Sequence, residues 1–65
     1  MTGQLDPSHA AAQRLIRRLD GFARGLGLEG AITRKIVEKV LADMPSRTDD
    51  ERLMEARKRM LVAST

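Results

Sequence analysis

The sequence predicts an all-α protein, a bundle of three helices joined by two short turns. Apolar residues recur at the 3.6-residue spacing of a helix in three separate segments. Glycine and proline residues separate these segments, and the third segment begins with a pattern typical of a helix N-terminus. We therefore predict helices over about residues 7–25, 29–44 and 48–62.

The length and composition favour one small folded domain. The 65 residues have room for a single domain, 1–65, with a flexible N-terminal arm over residues 1–5. A hydrophobic content of 42% with a net charge of only +3 is typical of a chain that folds. The chain has no Cys and a single His, which excludes disulfides and a multi-histidine metal centre. Because such a short chain has no covalent staple, dimerisation is one way of completing the bundle.

The first helix is predicted to begin at Pro7. The Asp6 side chain can accept backbone hydrogen bonds as the N-cap, and Pro fits the first helical position because no N–H donor is needed there. Glycines at positions 25, 27 and 30 predict the end of the helix, since Gly readily forms a left-handed C-cap. The apolar stripe of this helix consists of Ala12, Leu15, Ile16, Leu19, Phe22, Ala23 and Leu26.

The second helix is predicted from Glu29 to Met44. Glu29 places a negative charge at the positive end of the helix dipole. Pro45 stops the helix, because a proline disfavours helical geometry in the residue before it. The segment has no strand-like alternation, and its apolar stripe consists of Ile32, Ile36, Val37, Val40, Leu41 and Met44.

The third helix has the clearest local signal, a capping box in which Thr48 is the N-cap and Glu51 reaches back to the Thr48 amide. Acidic residues 49–51 and basic residues 57–59 complement the helix dipole at its two ends. We expect residues 62–65 to fray. The side facing the core is predicted to contain Leu53, Met54, Arg57, Met60 and Leu61, with Ala56 nearby.

The sequence offers little that catalysis requires. His9 follows Ser8, but adjacent residues of a helix do not face each other, so we expect an exposed side chain and no Ser–His pair. Residues 49–51 point about 100° apart and cannot surround one cation, so capping explains them better. The glycines between residues 25 and 30 lack the spacing of a phosphate-binding loop. We predict no catalytic residue, metal site, cofactor or small-molecule substrate, and thus a protein that is not an enzyme.

The chain also lacks the patterns of membrane proteins. No stretch approaches the roughly 18 apolar residues of a spanning helix, and the first residues do not form a signal peptide. We expect a soluble cytoplasmic protein with no membrane partner. Nine Arg against three Lys, with eight Ala, fit a chain coded by GC-rich DNA and favour a bacterial or phage origin.

The function that the sequence favours is protein–protein interaction through helix faces, with a second copy of the chain or with another protein. The apolar stripes of the first two helices are wide for so small a core, and four methionines can repack at an interface. We predict an interface of semi-exposed apolar residues with a polar rim. The apolar residues are Leu28, Met54 and Met60, and the rim residues are Arg57 and Arg59.

The alternative is contact with nucleic acid. Four arginines of the first helix lie within about 120° of arc, away from the apolar stripe: Arg14, Arg17, Arg18 and Arg24. Such a ridge either keeps the protein soluble or contacts phosphates or an acidic protein surface. The net charge is +2 over residues 1–24, zero over 25–45 and +1 over 46–65. Positive charge is therefore less concentrated in this chain than it normally is on a DNA-binding face.

Residues 22–36 resemble a helix-turn-helix unit. Ala23 matches the small residue of that pattern, and Gly27 matches the turn glycine four positions later, with Leu26 and Leu28 on either side of it. Two features differ from the family: Thr33 stands where the pattern has a buried aliphatic residue, and the preceding helix is longer.

The helix-turn-helix resemblance implies a dimeric DNA-binding regulator. In that family the helix after the turn enters the major groove. Carried over to this chain, Arg34, Lys35 and Thr33 would face the groove, and the arginine ridge of the first helix would contact the DNA backbone.

Overall fold

The computed structural model describes residues 7–65, with side chains from residue 9 onward, and shows three α-helices. Helix α1 spans Pro7–Leu26, α2 spans Gly30–Asp43 and α3 spans Asp49–Ser64. Each helix packs against the other two, which confirms the predicted all-α three-helix bundle. The predicted arm over residues 1–5 and the Asp6 N-cap lie outside the described residues. Within residues 7–65, no helix is both long and apolar enough to cross a membrane.

The predicted helix boundaries agree with the structure to within two residues. Helix α1 continues one residue further than predicted, and Glu29, Met44 and Thr48 are caps that flank α2 and α3. Ends of helices commonly vary by one or two residues between methods of assignment.

Helix α3 continues two residues beyond its predicted end at residue 62. Residues 62–64 are helical where the sequence predicts a frayed end. Ser64 Oγ donates a hydrogen bond to the Leu61 carbonyl at 2.9 Å, and Thr65 Oγ1 donates to the Val62 carbonyl at 2.7 Å. The Thr65 N–H also donates to the Val62 carbonyl at 3.2 Å, so carbonyls of the last turn, which a helix end commonly leaves unpaired, have partners here.

Helix α1 ends in a Schellman motif. The Leu28 N–H donates to the Ala23 carbonyl at 3.0 Å, and the Gly27 N–H donates to the Arg24 carbonyl at 3.1 Å. Gly27 has a φ of 73°, a left-handed conformation that costs other residues about 1–2 kcal/mol because their Cβ meets the backbone. The glycine therefore allows α2 to begin only three residues later, at Gly30.

The turn between α2 and α3 is held by Arg52. Its Nε donates to the Met44 carbonyl at 3.0 Å, and a terminal nitrogen donates to the Pro45 carbonyl at 2.9 Å. The side chain is only 14% exposed. A cation at this position complements the negative end of the α2 dipole and binds the carbonyls of the two residues that follow the helix.

The predicted capping box is present at the start of α3. Thr48 Oγ1 accepts from the Glu51 N–H at 3.2 Å, and the Glu51 carboxylate accepts from the Thr48 N–H at 3.1 Å. The hydrogen bond from Thr48 lowers the pKa of the Glu51 carboxyl, with a further lowering from the charge of Arg47. Because folding lowers this pKa, the box stabilises the fold at neutral pH, and the contribution is lost as the pH falls through the folded-state pKa.

The core lies where the three helices meet. Smaller buried residues, among them Ala12, Ala23 and Ala56, fill the contacts between helices, and the half-buried Phe22 packs against them. The largest side chains with no exposed surface are Leu15, Leu19, Val37, Val40 and Met60.

The core-facing side of α3 differs from the prediction. The helix buries Leu53, Ala56 and Met60, whereas Met54 and Leu61, both predicted to face inward, are 69% and 50% exposed. Two apolar stripes one residue apart run along this helix, since residues 53 and 60 and residues 54 and 61 have the same seven-residue spacing. Ala56 fits the first stripe, and its small side chain suits close contact with the other helices.

Candidate interaction surfaces

One side of α3 carries most of the exposed large hydrophobic side chains of the described residues; we call it the α3 outer face. Its members lie within about 140° of arc at 100° per residue: Met54, Arg57, Lys58, Leu61 and Val62. Among the described residues, four large hydrophobic side chains are exposed, and three of them belong to this face. The fourth is Ile32 on α2, at 39% exposure.

The structure places only part of the predicted protein interface on one surface. Met54 and Arg57 lie on the α3 outer face. Met60, predicted as semi-exposed, has no exposed surface, which corrects that expectation because a partner cannot reach it in this fold. Leu28 is half-buried and packs against the core beside the turn between α1 and α2.

Arg59, the other predicted rim residue, joins α3 to α2. Its Nε donates to Glu55 Oε2 at 2.8 Å, and a terminal nitrogen lies 3.0 Å from Asp43 Oδ2. The hydrogen bond to Glu55 raises the pKa of the Arg59 guanidinium, and the one to Asp43 contributes in the same direction. Arg59 is therefore engaged within the fold, and Arg57 is the exposed cation of the pair predicted for the rim.

The six basic residues predicted for DNA contact are all exposed, but they differ in their partners. Arg14 Nε lies 3.3 Å from Asp49 Oδ2 on α3, and Arg24 Nε lies 3.2 Å from Asp20 Oδ2. Exposed pairs of this kind stabilise a fold by only about 0–1 kcal/mol. Throughout the described part of the chain, the other four side chains make no ion pair or hydrogen bond: Arg17, Arg18, Arg34 and Lys35.

Two residues of the turn between α1 and α2 have the burial and the backbone conformation that the helix-turn-helix pattern expects. Ala23 is buried at 5% exposure and Gly27 is left-handed. Thr33 is also buried, and its Oγ1 donates to the Glu29 carbonyl at 3.4 Å. The expectation that Thr33 faces a DNA groove is therefore wrong: it fills the position of the pattern's buried aliphatic residue, which its hydrogen-bonded hydroxyl permits.

His9 has an exposed position, and the acidic run of residues 49–51 has structural roles. His9 is exposed in the first turn of α1, as expected. The acidic run at the start of α3 contains the capping residue Glu51, and Asp49 pairs with Arg14 and Arg52. From residue 9 to the C-terminus, no group of three potential ligand side chains is placed so that it could hold a metal ion.

The fold and these surfaces define a three-helix all-α protein with an apolar outer face on α3 and exposed basic residues on α1 and α2. No family model matches the chain, and neither the curated proteins nor the solved structures give a match. The exposed surfaces are therefore the basis for a functional proposal.

Proposed function

We propose that the protein is a small non-enzymatic interaction module that acts through helix-face contacts, with the α3 outer face as its contact surface. The observation that carries this proposal is the gathering of three of the four exposed large hydrophobic side chains on that face, counted over the described residues. Met54 and Val62 are each 69% exposed. Contact with a partner would remove this apolar surface from water, which is the main driving force for protein association.

The composition of the face also supports an interface. An apolar centre formed by Met54 and Leu61 lies next to Arg57 and Lys58, and arginine is enriched at interfaces while charged residues generally occupy the rim. Methionine is flexible and polarizable, so Met54 can adapt its shape to a partner surface. The surface suits either a second copy of the chain or another protein.

Photo-crosslinking in the cells that naturally produce the protein tests this function. We expect benzoylphenylalanine in place of Met54 to give a discrete covalent adduct to one partner, because the ring would lie inside the contact. The matched control is the same unnatural amino acid in place of Ile32, the exposed apolar residue of α2, which should give none. No adduct at position 54, or equal adducts at both positions, would contradict the proposal.

A second candidate function is DNA binding by a helix-turn-helix unit. The specific observation in its favour is the left-handed Gly27 beside buried Ala23 and Thr33, together with Arg34 and Lys35 on the following helix, which are unpaired within the described part of the chain. In this reading Arg34 and Lys35 contact the groove, and the exposed arginines of α1 neutralise phosphates.

The salt dependence of duplex DNA binding tests this second function. We expect the double variant Arg17→Ala/Arg18→Ala, which removes two exposed arginines of α1, to bind more weakly and to reduce the slope of log K against log salt by about 2, roughly one per lost phosphate contact. The matched control is Arg57→Ala/Lys58→Ala, which removes two cations of α3 that are equally unpaired among the described residues. An equal effect of the two double variants, or no binding at low salt, would remove this candidate.

A further inference from the structure

We propose that the α3 outer face pairs with the same face of a second copy. The two α3 helices would run antiparallel, with the two-fold axis at Met54. Asp50 of each copy would then lie against Lys58 of the other copy. This inference rests on the proposed function and names the partner and the register.

The spacing of three exposed residues carries the register. Asp50, Met54 and Lys58 follow one another at intervals of four residues, so they lie on one stripe of α3 about 6 Å apart along the helix axis. Asp50 and Lys58 are thus equally far from Met54, on opposite sides. An antiparallel pair centred on Met54 brings each Asp50 opposite a Lys58, whereas a parallel pair would bring like charges together.

The charges of α3 support the same arrangement. Asp49, Glu51 and Glu55 each pair with a cation of the same chain. In the structure from residue 9 onward, Asp50 and Lys58 are exposed and their side chains make no ion pair or hydrogen bond. Over the described residues, Asp50 is therefore the one unpaired acid of α3 and lies four residues before Met54, whereas Lys58, unpaired like Arg57, lies four residues after it.

The apolar residues supply the centre of the contact. Met54 would meet Met54 of the second copy on the axis, and Met44 at the end of α2 lines the same shallow groove as Met54, which extends the apolar surface beyond α3. Leu61 lies seven residues after Met54, so it would lie opposite Arg47 of the second copy, two residues before that copy's α3 begins.

Other proteins could compete for this face, but its symmetry favours a second copy. A two-fold dimer needs a patch that is complementary to itself, so that residue i contacts residue j and j contacts i. An apolar residue at the centre, with one acid and one base equally far from it, meets this requirement. A different partner would have no reason to match that symmetry.

Charge reversal in the purified full chain tests the pairing by sedimentation equilibrium. Either Asp50→Lys or Lys58→Asp alone creates two like-charge contacts per dimer, so we expect each to raise the dimer Kd at least about tenfold at low salt. An equimolar mixture of the two variants should dimerise again. In the mixed dimer the introduced lysine of one variant faces the introduced aspartate of the other, and the remaining Lys58 faces the remaining Asp50. Circular dichroism verifies that both variants remain folded.

The matched control is Lys35→Asp, which reverses the charge of an exposed lysine on α2 that has no partner among the described residues. This variant should leave the dimer Kd within about twofold of wild type. Three outcomes would overturn the pairing: no dimer at about 1 mM, single variants no weaker than the control, or no recovery on mixing. A monomeric chain that still gives an adduct to another protein through position 54 would overturn the pairing and leave the proposed function intact. Loss of the adduct itself would overturn the function.

Discussion

Replacing Met60 by Lys is expected to unfold the protein, whereas the same change at Met54 leaves the fold intact. Met60 has no exposed surface and packs in the cluster that contains Leu15 and Leu19. A buried ammonium group loses its hydration and has no acid among these neighbours, at a cost of several kcal/mol. A domain of this size has a stability of about 3–5 kcal/mol, so the loss would exceed the available margin.

The measurement is urea unfolding followed by circular dichroism. Met54→Lys is the matched control at protein concentrations below the dimer Kd, because Met54 is 69% exposed on the same helix and its replacement should change the free energy of unfolding of the monomer by no more than about 0.5 kcal/mol. Equal losses of stability in the two variants would contradict the side of α3 that the structure assigns to the core.

Leu19→Ala is expected to lower the free energy of unfolding by about 2–5 kcal/mol. Leu19 has no exposed surface and belongs to the central cluster with Val37, Val40 and Met60. Truncation removes buried methyl groups and leaves a cavity that the packed helices fill only in part. Leu61→Ala provides the comparison, since Leu61 is 50% exposed and its truncation leaves no cavity. Similar destabilisation by both changes, measured by chemical unfolding, would contradict the assigned core.

The helices of this protein could be predicted because their signals are local. The capping box at Thr48 and Glu51 lies within four residues, and the turn at Gly27 needs a conformation that glycine adopts most readily. The apolar stripes of α1 and α2 each have one dominant side. The local sequence therefore predicts both the number of helices and their boundaries to within two residues.

The rotation of α3 could not be predicted in the same way. Its two apolar stripes differ by one residue, and the choice between them depends on contacts with residues distant in sequence. Arg59 reaches Asp43 across the α2–α3 contact, and Arg52 binds the carbonyl of Met44. Local periodicity does not include such contacts, so it places the exposed Met54 and Leu61 on the core side together with the buried Met60.

The same holds for the candidate surfaces: local sequence predicts some of their features, whereas others depend on contacts between residues distant in sequence. Helical spacing predicts that the arginines of α1 share an exposed side, and the structure places them there. Which cations have partners depends on the fold: Arg14 pairs with Asp49, 35 residues away, while Arg17 and Arg18 have no such acid within the described chain. The spacing of Asp50, Met54 and Lys58 is present in the sequence, but the packing of the three helices decides that this side of α3 is exposed.

Amide chemical shifts measured by NMR over a dilution series show whether two copies pair through the α3 outer face. We expect concentration-dependent shifts at residues 50–62 of α3 and at Met44, with little change at Arg17 on α1 or Arg34 on α2. Shifts confined to α1 and α2, or spectra that do not change with concentration up to about 1 mM, would contradict this pairing.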